Sequence, residues 1–206
     1  GLAVTLLTAL FNIGIIALDD YEFVIAQIIP AQTSDFAKIA SGFTIRSPIH
    51  PLLLALIGKL GLALGLTEPV NQLRFVLFWI GLFTFTVCSF FGTAQLAKTE
   101  SRKKAILLFF FGFFFLCPLF LTRPMIETMA TPFLAVSSTF ACWYWTERRC
   151  SHLIWALLAL VTASLFRFQT GICYFALLAD ACLRWEKRDF LLFAVLSLGC
   201  FIATGF

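Results

Sequence analysis

Residues 72–121 read QLRFVLFWIGLFTFTVCSFFGTAQLAKTESRKKAILLFFFGFFFLCPLFL, two apolar runs (72–97 and 105–121) parted by a short segment carrying Lys98, Arg102, Lys103 and Lys104. A helix needs roughly 20 apolar residues to cross the hydrocarbon layer of a bilayer. A bilayer admits only helices or closed barrels, because every backbone polar group must find an internal partner there. The alternating pattern of a barrel strand is absent from this stretch, so both runs read as helices. Moving outward, the chain repeats the theme at 1–18, 125–145, 153–166, 171–183 and 190–206, with a further run at 49–66. The composition agrees: 61% of the 206 residues are hydrophobic and 13% charged, at a mean hydropathy of +0.95. A soluble domain carries about 45–50% apolar and about 25% charged residues. The expected fold class is all-α, a polytopic transmembrane helical bundle of about seven spans, forming one domain over residues 1–206. Both ends of the chain fall in apolar runs, and the expectation is that this is the N-terminal part of a longer enzyme.

The net charge of +4 is distributed in short clusters between the runs, which writes membrane orientation and not a nucleic-acid grip. Lys98, Arg102, Lys103 and Lys104 share a side with Arg148 and Arg149 and with Arg184, Lys187 and Arg188. By the positive-inside rule that side is cytoplasmic, which puts Arg123, Arg167 and the acidic stretch from Asp19 outside. The scheme requires residues 19–68 to form a first outer loop, with 49–66 an in-plane or re-entrant helix; a crossing helix at 49–66 would invert every later loop. A connection of about 50 residues is far beyond the two to eight usual between bundled helices, and long connections tend to carry function. The seven cysteines are scattered, mostly inside apolar runs, and show neither zinc-ligand nor redox-pair spacing. No nucleotide-binding loop or haem motif is present.

Residues able to carry chemistry concentrate on the outer side. Asp19, Asp20 and Glu22 follow the first run directly. Three carboxylates so close repel one another and are stabilised by a cation or by a proton taken from a substrate, so a sugar hydroxyl could be deprotonated here, an effect worth typically about 10²–10⁴-fold. The cluster could also ligate Mg²⁺ or Mn²⁺ through its oxygens, or be a plain acidic helix end in headgroup water. Arg123 and Glu127 are four apart at a helix start and so face the same way. They read either as an ion pair that orients the helix or as a phosphate grip, to which the planar donor fork of Arg is suited. Arg167 and Gln169 occupy the polar break between two short runs, and Arg46 adds a third outer guanidinium. Each arginine could equally reach the interface harmlessly. His50 sits between Pro48 and Pro51, where a rigid bend could present its ring to a headgroup; a lone histidine is also a common structural residue.

The ordered set resembles the GT-C superfamily of membrane glycosyltransferases, and within it glycosyltransferase family 22, the mannosyltransferases of GPI-anchor and N-glycan assembly. Where that family has an acidic motif after its first helix, this chain has Leu18-Asp19-Asp20-Tyr21-Glu22, without the family's His-Pro and with Asp as the second acid. Ile45-Arg46-Ser47-Pro48-Ile49-His50-Pro51 is similar to its Ile-Arg-Ser motif. Arg123-Pro124 with Glu127 resembles its Arg-x-x-x-Glu helix start, and Phe166-Arg167-Phe168-Gln169-Thr170 its later outer turn. The resemblance implies a polyprenyl-phosphate sugar donor, mannose-like, and a glycan or glycolipid acceptor. It also implies inversion at the anomeric carbon and Asp19 or Asp20 as the base, with Glu22, Arg46, His50, Arg123, Glu127, Arg167 and Gln169 contacting substrate. The membrane would be the bacterial cytoplasmic membrane or that of the endoplasmic reticulum, with the site on the extracytoplasmic face.

Two other classes use the same residues differently. A transporter or channel would line a path with these charges, although transport sites lie near the midplane and these charges gather at one face. A non-catalytic assembly subunit would use them to pair helices.

Overall fold

The computed structural model describes residues 2–11, 49–95, 106, 122, 125–184, 190–191 and 193–195. The described chain is all-helical, without a strand. Its helices are α1 (Leu2–Phe11), α2 (Ile49–Ala63), α3 (Pro69–Gln95), α4 (Ile126–Glu147), α5 (Cys150–Phe166) and α6 (Ile172–Arg184), with a 3₁₀ turn at Phe168–Gly171 before α6.

The centre is a hairpin of α4 and α5. Arg148, at φ 55° and ψ 31°, takes the left-handed conformation that ends α4, and its N–H donates to Tyr144 O at 2.8 Å. Arg149 is extended and α5 starts at once, so two residues reverse the chain and force the helices together along their length. Ala141 and Tyr144 of α4 pack with Leu153, Ala156, Leu157 and Leu160 of α5 and Leu177 of α6. The small side chains of Ala156 and Ala163, both fully buried, let the backbones approach, as small residues do wherever helices pack without water as the driving solvent.

Against this hairpin lies α3, whose 27 residues span about 40 Å. Val76 and Ile80 share a buried cluster with Met129 and Ala130 of α4 and with Ala163 and Phe166 of α5. Phe83 meets Phe133 at 5.9 Å and Phe91 meets Phe140 at 6.0 Å. Gln95 Nε2 donates to Ser138 Oγ at 2.6 Å and Thr139 Oγ1 at 3.0 Å, and Thr139 Oγ1 donates to Phe91 O at 3.1 Å. Residue numbers rise together on both helices, so α3 and α4 run parallel. Thr122 lies against Gly81, which means the chain after Gln95 comes back about 21 Å along α3 before α4 begins. Thr5 of α1 reaches the same glycine, so two other segments converge on Gly81.

The helix expected over 49–66 ends at Ala63. It folds back on α3 through a tight turn in which Gly65 has φ +86°. Gly61 faces the Phe75 ring, Leu54 enters the cluster of Val76 and Phe166, and Gln72 Nε2 donates to Leu66 O at 2.7 Å to pin the turn. One face of α2, with His50, Leu54, Gly58 and Gly61, is buried.

Among the described residues α3 is the one helix long and apolar enough to cross a membrane, while α1, α2 and α5 are shorter apolar helices. The 22 residues of α4 give length enough, but its Thr and Ser residues and its polar ends dilute the apolar character. The outward surface is apolar nonetheless. Trp79, Phe83 and Phe90 of α3, Trp155 and Leu158 of α5, and Phe175 and Leu183 of α6 are all exposed, where a water-soluble bundle presents a charged face.

Candidate functional site

Where α5 ends and α4 begins, two residues expected at the site come together. Arg167 leaves α5 in extended conformation (φ −139°, ψ 104°), its N–H still donating to Ala163 O at 2.9 Å. Leaving the helix there turns its side chain toward the first turn of α4, and its Nη1 forms an ion pair with Glu127 Oε1. Nε of the same guanidinium donates to Gln169 Oε1. The backbone is held as well: Thr170 Oγ1 donates to Arg167 O at 2.8 Å and lies 3.2 Å from Ser164 Oγ. Phe166, next to Arg167 in the chain, stacks on Phe133 of α4 at 5.6 Å and 13°, a further contact between the two helices. The side chains remain 34% (Arg167) and 46% (Glu127) exposed, and therefore reachable by a ligand.

No family model, curated protein or solved structure matches this chain. The site therefore stands on its own geometry.

The four-residue spacing lets Glu127 pair with Arg123. Among the described residues its partner is Arg167, because the α4–α5 hairpin brings the end of one helix to the start of the other. Arg123 lies outside the described residues, as do Asp19, Asp20, Glu22 and Arg46. His50 is 1% exposed and stands one turn before Leu54 on the same face of α2. It is packed in the interior, which agrees with the structural reading and leaves the ring off the outer surface of the protein. Among the described residues no group of three or more His, Cys, Asp or Glu side chains could hold a metal ion; the acidic residues offered for Mg²⁺ or Mn²⁺ fall outside that set.

Chemically, the trio of Glu127, Arg167 and Gln169 can hold an anion. Glu127 and Gln169 fix the guanidinium through Nη1 and Nε, which leaves Nη2 among its donors for an oxyanion. Glu127 compensates the charge, so binding here depends on directed hydrogen bonds more than on net attraction. Sequence reasoning passed over Arg74 and Glu68 at the same end of the bundle. The available signal was a charge one turn into an apolar run, which at membrane depth marks a partner or a cavity.

The energetic coupling of the trio is measurable. In a double-mutant cycle of Glu127→Ala and Arg167→Ala, the double variant is expected to lose about 0.5–1 kcal/mol less than the sum of the singles, the range for partly exposed pairs. Thermal unfolding in detergent gives the number, and strict additivity would mean the pair contributes no stability.

Proposed function

We propose that the protein is a membrane-embedded glycosyltransferase. It transfers a mannose-like sugar from a polyprenyl-phosphate donor to a hydroxyl of a lipid-linked or protein-linked acceptor, with inversion, on the extracytoplasmic face of the bacterial cytoplasmic membrane or of the endoplasmic reticulum membrane. In this reading the remaining apolar runs complete a bundle of about seven spans. The observation that carries the reading is the convergence of Arg167, Glu127 and Gln169, which come from two helix ends about 40 residues apart in sequence and meet at one end of the bundle beside an apolar outer surface.

In the reaction, Asp19 or Asp20 takes the acceptor's hydroxyl proton. The acceptor oxygen attacks the anomeric carbon from the face opposite the phosphate, the sugar–phosphate bond breaks, and the polyprenyl phosphate leaves with the electron pair. Charge grows on the phosphate as that bond breaks, so donors already fixed in place stabilise the transition state more than the ground state. Arg167, oriented by Glu127 and Gln169, supplies such donors, and Arg46 and Arg123 would add to them. Should a divalent ion bind Asp19, Asp20 and Glu22, it would supply further positive charge to the leaving phosphate.

The test is a transfer assay of the full-length protein with polyprenyl-phosphate mannose. Either Asp19→Asn or Asp20→Asn is expected to lower transfer below about a tenth of wild type, since even a modest general base contributes about 10². Transfer above that level in both variants removes the acid–base assignment. Arg167→Ala is expected to weaken donor binding, and unchanged binding excludes Arg167 from the donor site. Passage of a labelled solute into proteoliposomes without consumption of a lipid-linked sugar would replace this reading with transport.

A further inference from the structure

At the Pro69 end of α3, Asn71 Nδ2 donates to Glu68 Oε2 at 2.8 Å, and Arg74 Nη1 donates to Asn71 Oδ1 at 3.4 Å. That long contact is the polar partner the structure gives Arg74 among the described residues. The Nε of its guanidinium is buried and meets no acceptor, and among the described residues no carboxylate pairs with it. A desolvated N–H on a charged group that meets nothing is unfavourable, and the favourable remedy is an acceptor with two oxygens, taken side-on by Nε and Nη2 together.

The placement suits a ligand that enters from lipid. Arg74 stands two turns before Gly81 on the same face of α3, the face that receives Thr122 and Thr5. Val70, one turn before Arg74 on that face, is exposed and apolar. Two residues after Arg74, Val76 joins the cluster containing Met129 and Phe166, so Arg74 occupies the same end of the bundle as Glu127 and Arg167. The two guanidiniums differ in one respect that matters: among the described residues Arg167 is compensated by a carboxylate, and Arg74 is not.

We infer that Arg74 anchors a second oxyanion subsite, specific for the phosphate group of a lipid-linked ligand and held in position by the Glu68–Asn71 relay. The inference rests on the glycosyltransferase reading in taking that ligand to be the donor or its polyprenyl-phosphate product. The site itself is defined by the side chains and is testable without turnover.

The experiment follows thermal unfolding of the full-length protein in neutral maltoside micelles with dodecyl phosphate, dodecanol or inorganic phosphate. Wild type and Lys59→Gln are expected to be stabilised by dodecyl phosphate. Arg74→Gln should need at least about tenfold more for the same shift, and Arg74→Lys, which keeps the charge without the planar fork, should fall between them. The ligand-free midpoints report any loss of folding, and if Arg74→Gln fails to fold, Arg74→Lys decides. Equal stabilisation by inorganic phosphate keeps the oxyanion site and assigns it to free phosphate instead of a lipid. An unchanged response in Arg74→Gln, or an equal effect of dodecanol, overturns the proposal. Loss of the response in Arg74→Gln together with no sugar transfer by wild type would leave the site standing and the glycosyltransferase reading fallen. Transfer with an unchanged Arg74→Gln response would do the reverse.

Discussion

Phe166→Ala is expected to destabilise the protein by about 3 kcal/mol or more, within the range of about 3–5 for loss of a buried Phe. Phe166 is 7% exposed and packs with Leu54 of α2, Val76 and Ile80 of α3, Met129 and Ala130 of α4, and Ala163 of its own helix. It also stacks on Phe133. Few residues join four helices at once, so no single neighbour can move to fill the space. In a lipid or detergent surrounding, the transfer part of the cost shrinks because the unfolded helix still finds an apolar solvent. The void remains, and at about 24 cal/mol per Å³ a hole of about 100 Å³ costs about 2.4 kcal/mol by itself. Phe166→Leu leaves most of the volume filled and should cost less than about 1.5 kcal/mol. Denaturant unfolding in mixed micelles measures both. Equal losses for Ala and Leu would mean the site collapses freely and that Phe166 does not join the helices. Because Arg167 follows directly, Phe166→Ala should also loosen the Glu127 pair.

The second large effect concerns Gly81. A Cβ at this position would lie 2.9 Å from Thr122 Cγ2 and 3.4 Å from Thr5 Cγ2. The first distance forces a movement, and the second requires Thr5 to give slightly. Gly81→Leu is therefore expected to separate α1 or the Thr122 segment from α3, at a cost of about 1–3 kcal/mol or more. Gly81→Ala adds one methyl, and in the interior of a helix alanine is about 1 kcal/mol better than glycine. Any net loss from Gly81→Ala thus understates the clash. Thr122→Ser removes the offending methyl and keeps the hydroxyl, so the pair Gly81→Ala with Thr122→Ser should recover most of what Gly81→Ala alone loses. A melting curve for Gly81→Leu that overlays wild type, or a cycle with no coupling to Thr122, would show that the three segments do not meet at this glycine.

The helices α3, α4 and α5 were legible as apolar runs because periodicity and run length are local properties of the chain. So was the special character of Arg167, since a cation that interrupts apolar sequence must find a partner wherever it sits. Its partner was not legible. The spacing of Glu127 names neighbours on its own helix, and Arg123 is the local candidate. Bringing Arg167 to Glu127 depends on a two-residue reversal at Arg148 and Arg149, where a non-glycine residue takes a left-handed conformation that composition gives little reason to expect. The packing of α2 on α3 was not legible for a related reason. Glycines at Gly58, Gly61 and Gly65 fit a loosely held surface helix, yet Gly61 is small because the Phe75 ring lies against it. His50 followed α2 into the interior. Arg74 lies inside an apolar run that was taken whole, and the burial of its Nε is a tertiary property that the run does not display.

The parallel course of α3 and α4 sets an order in time. When α3 leaves the ribosome, the mate of the face that holds Val76, Ile80, Phe83 and Phe91 is still to come, because α4 is complete only at Glu147. At about 5–20 residues per second that interval lasts about 3–10 s. The α4–α5 hairpin closes through local contacts and needs no such delay, so docking on α3 is the slow assembly event. The Glu127–Arg167 contact belongs to the early one.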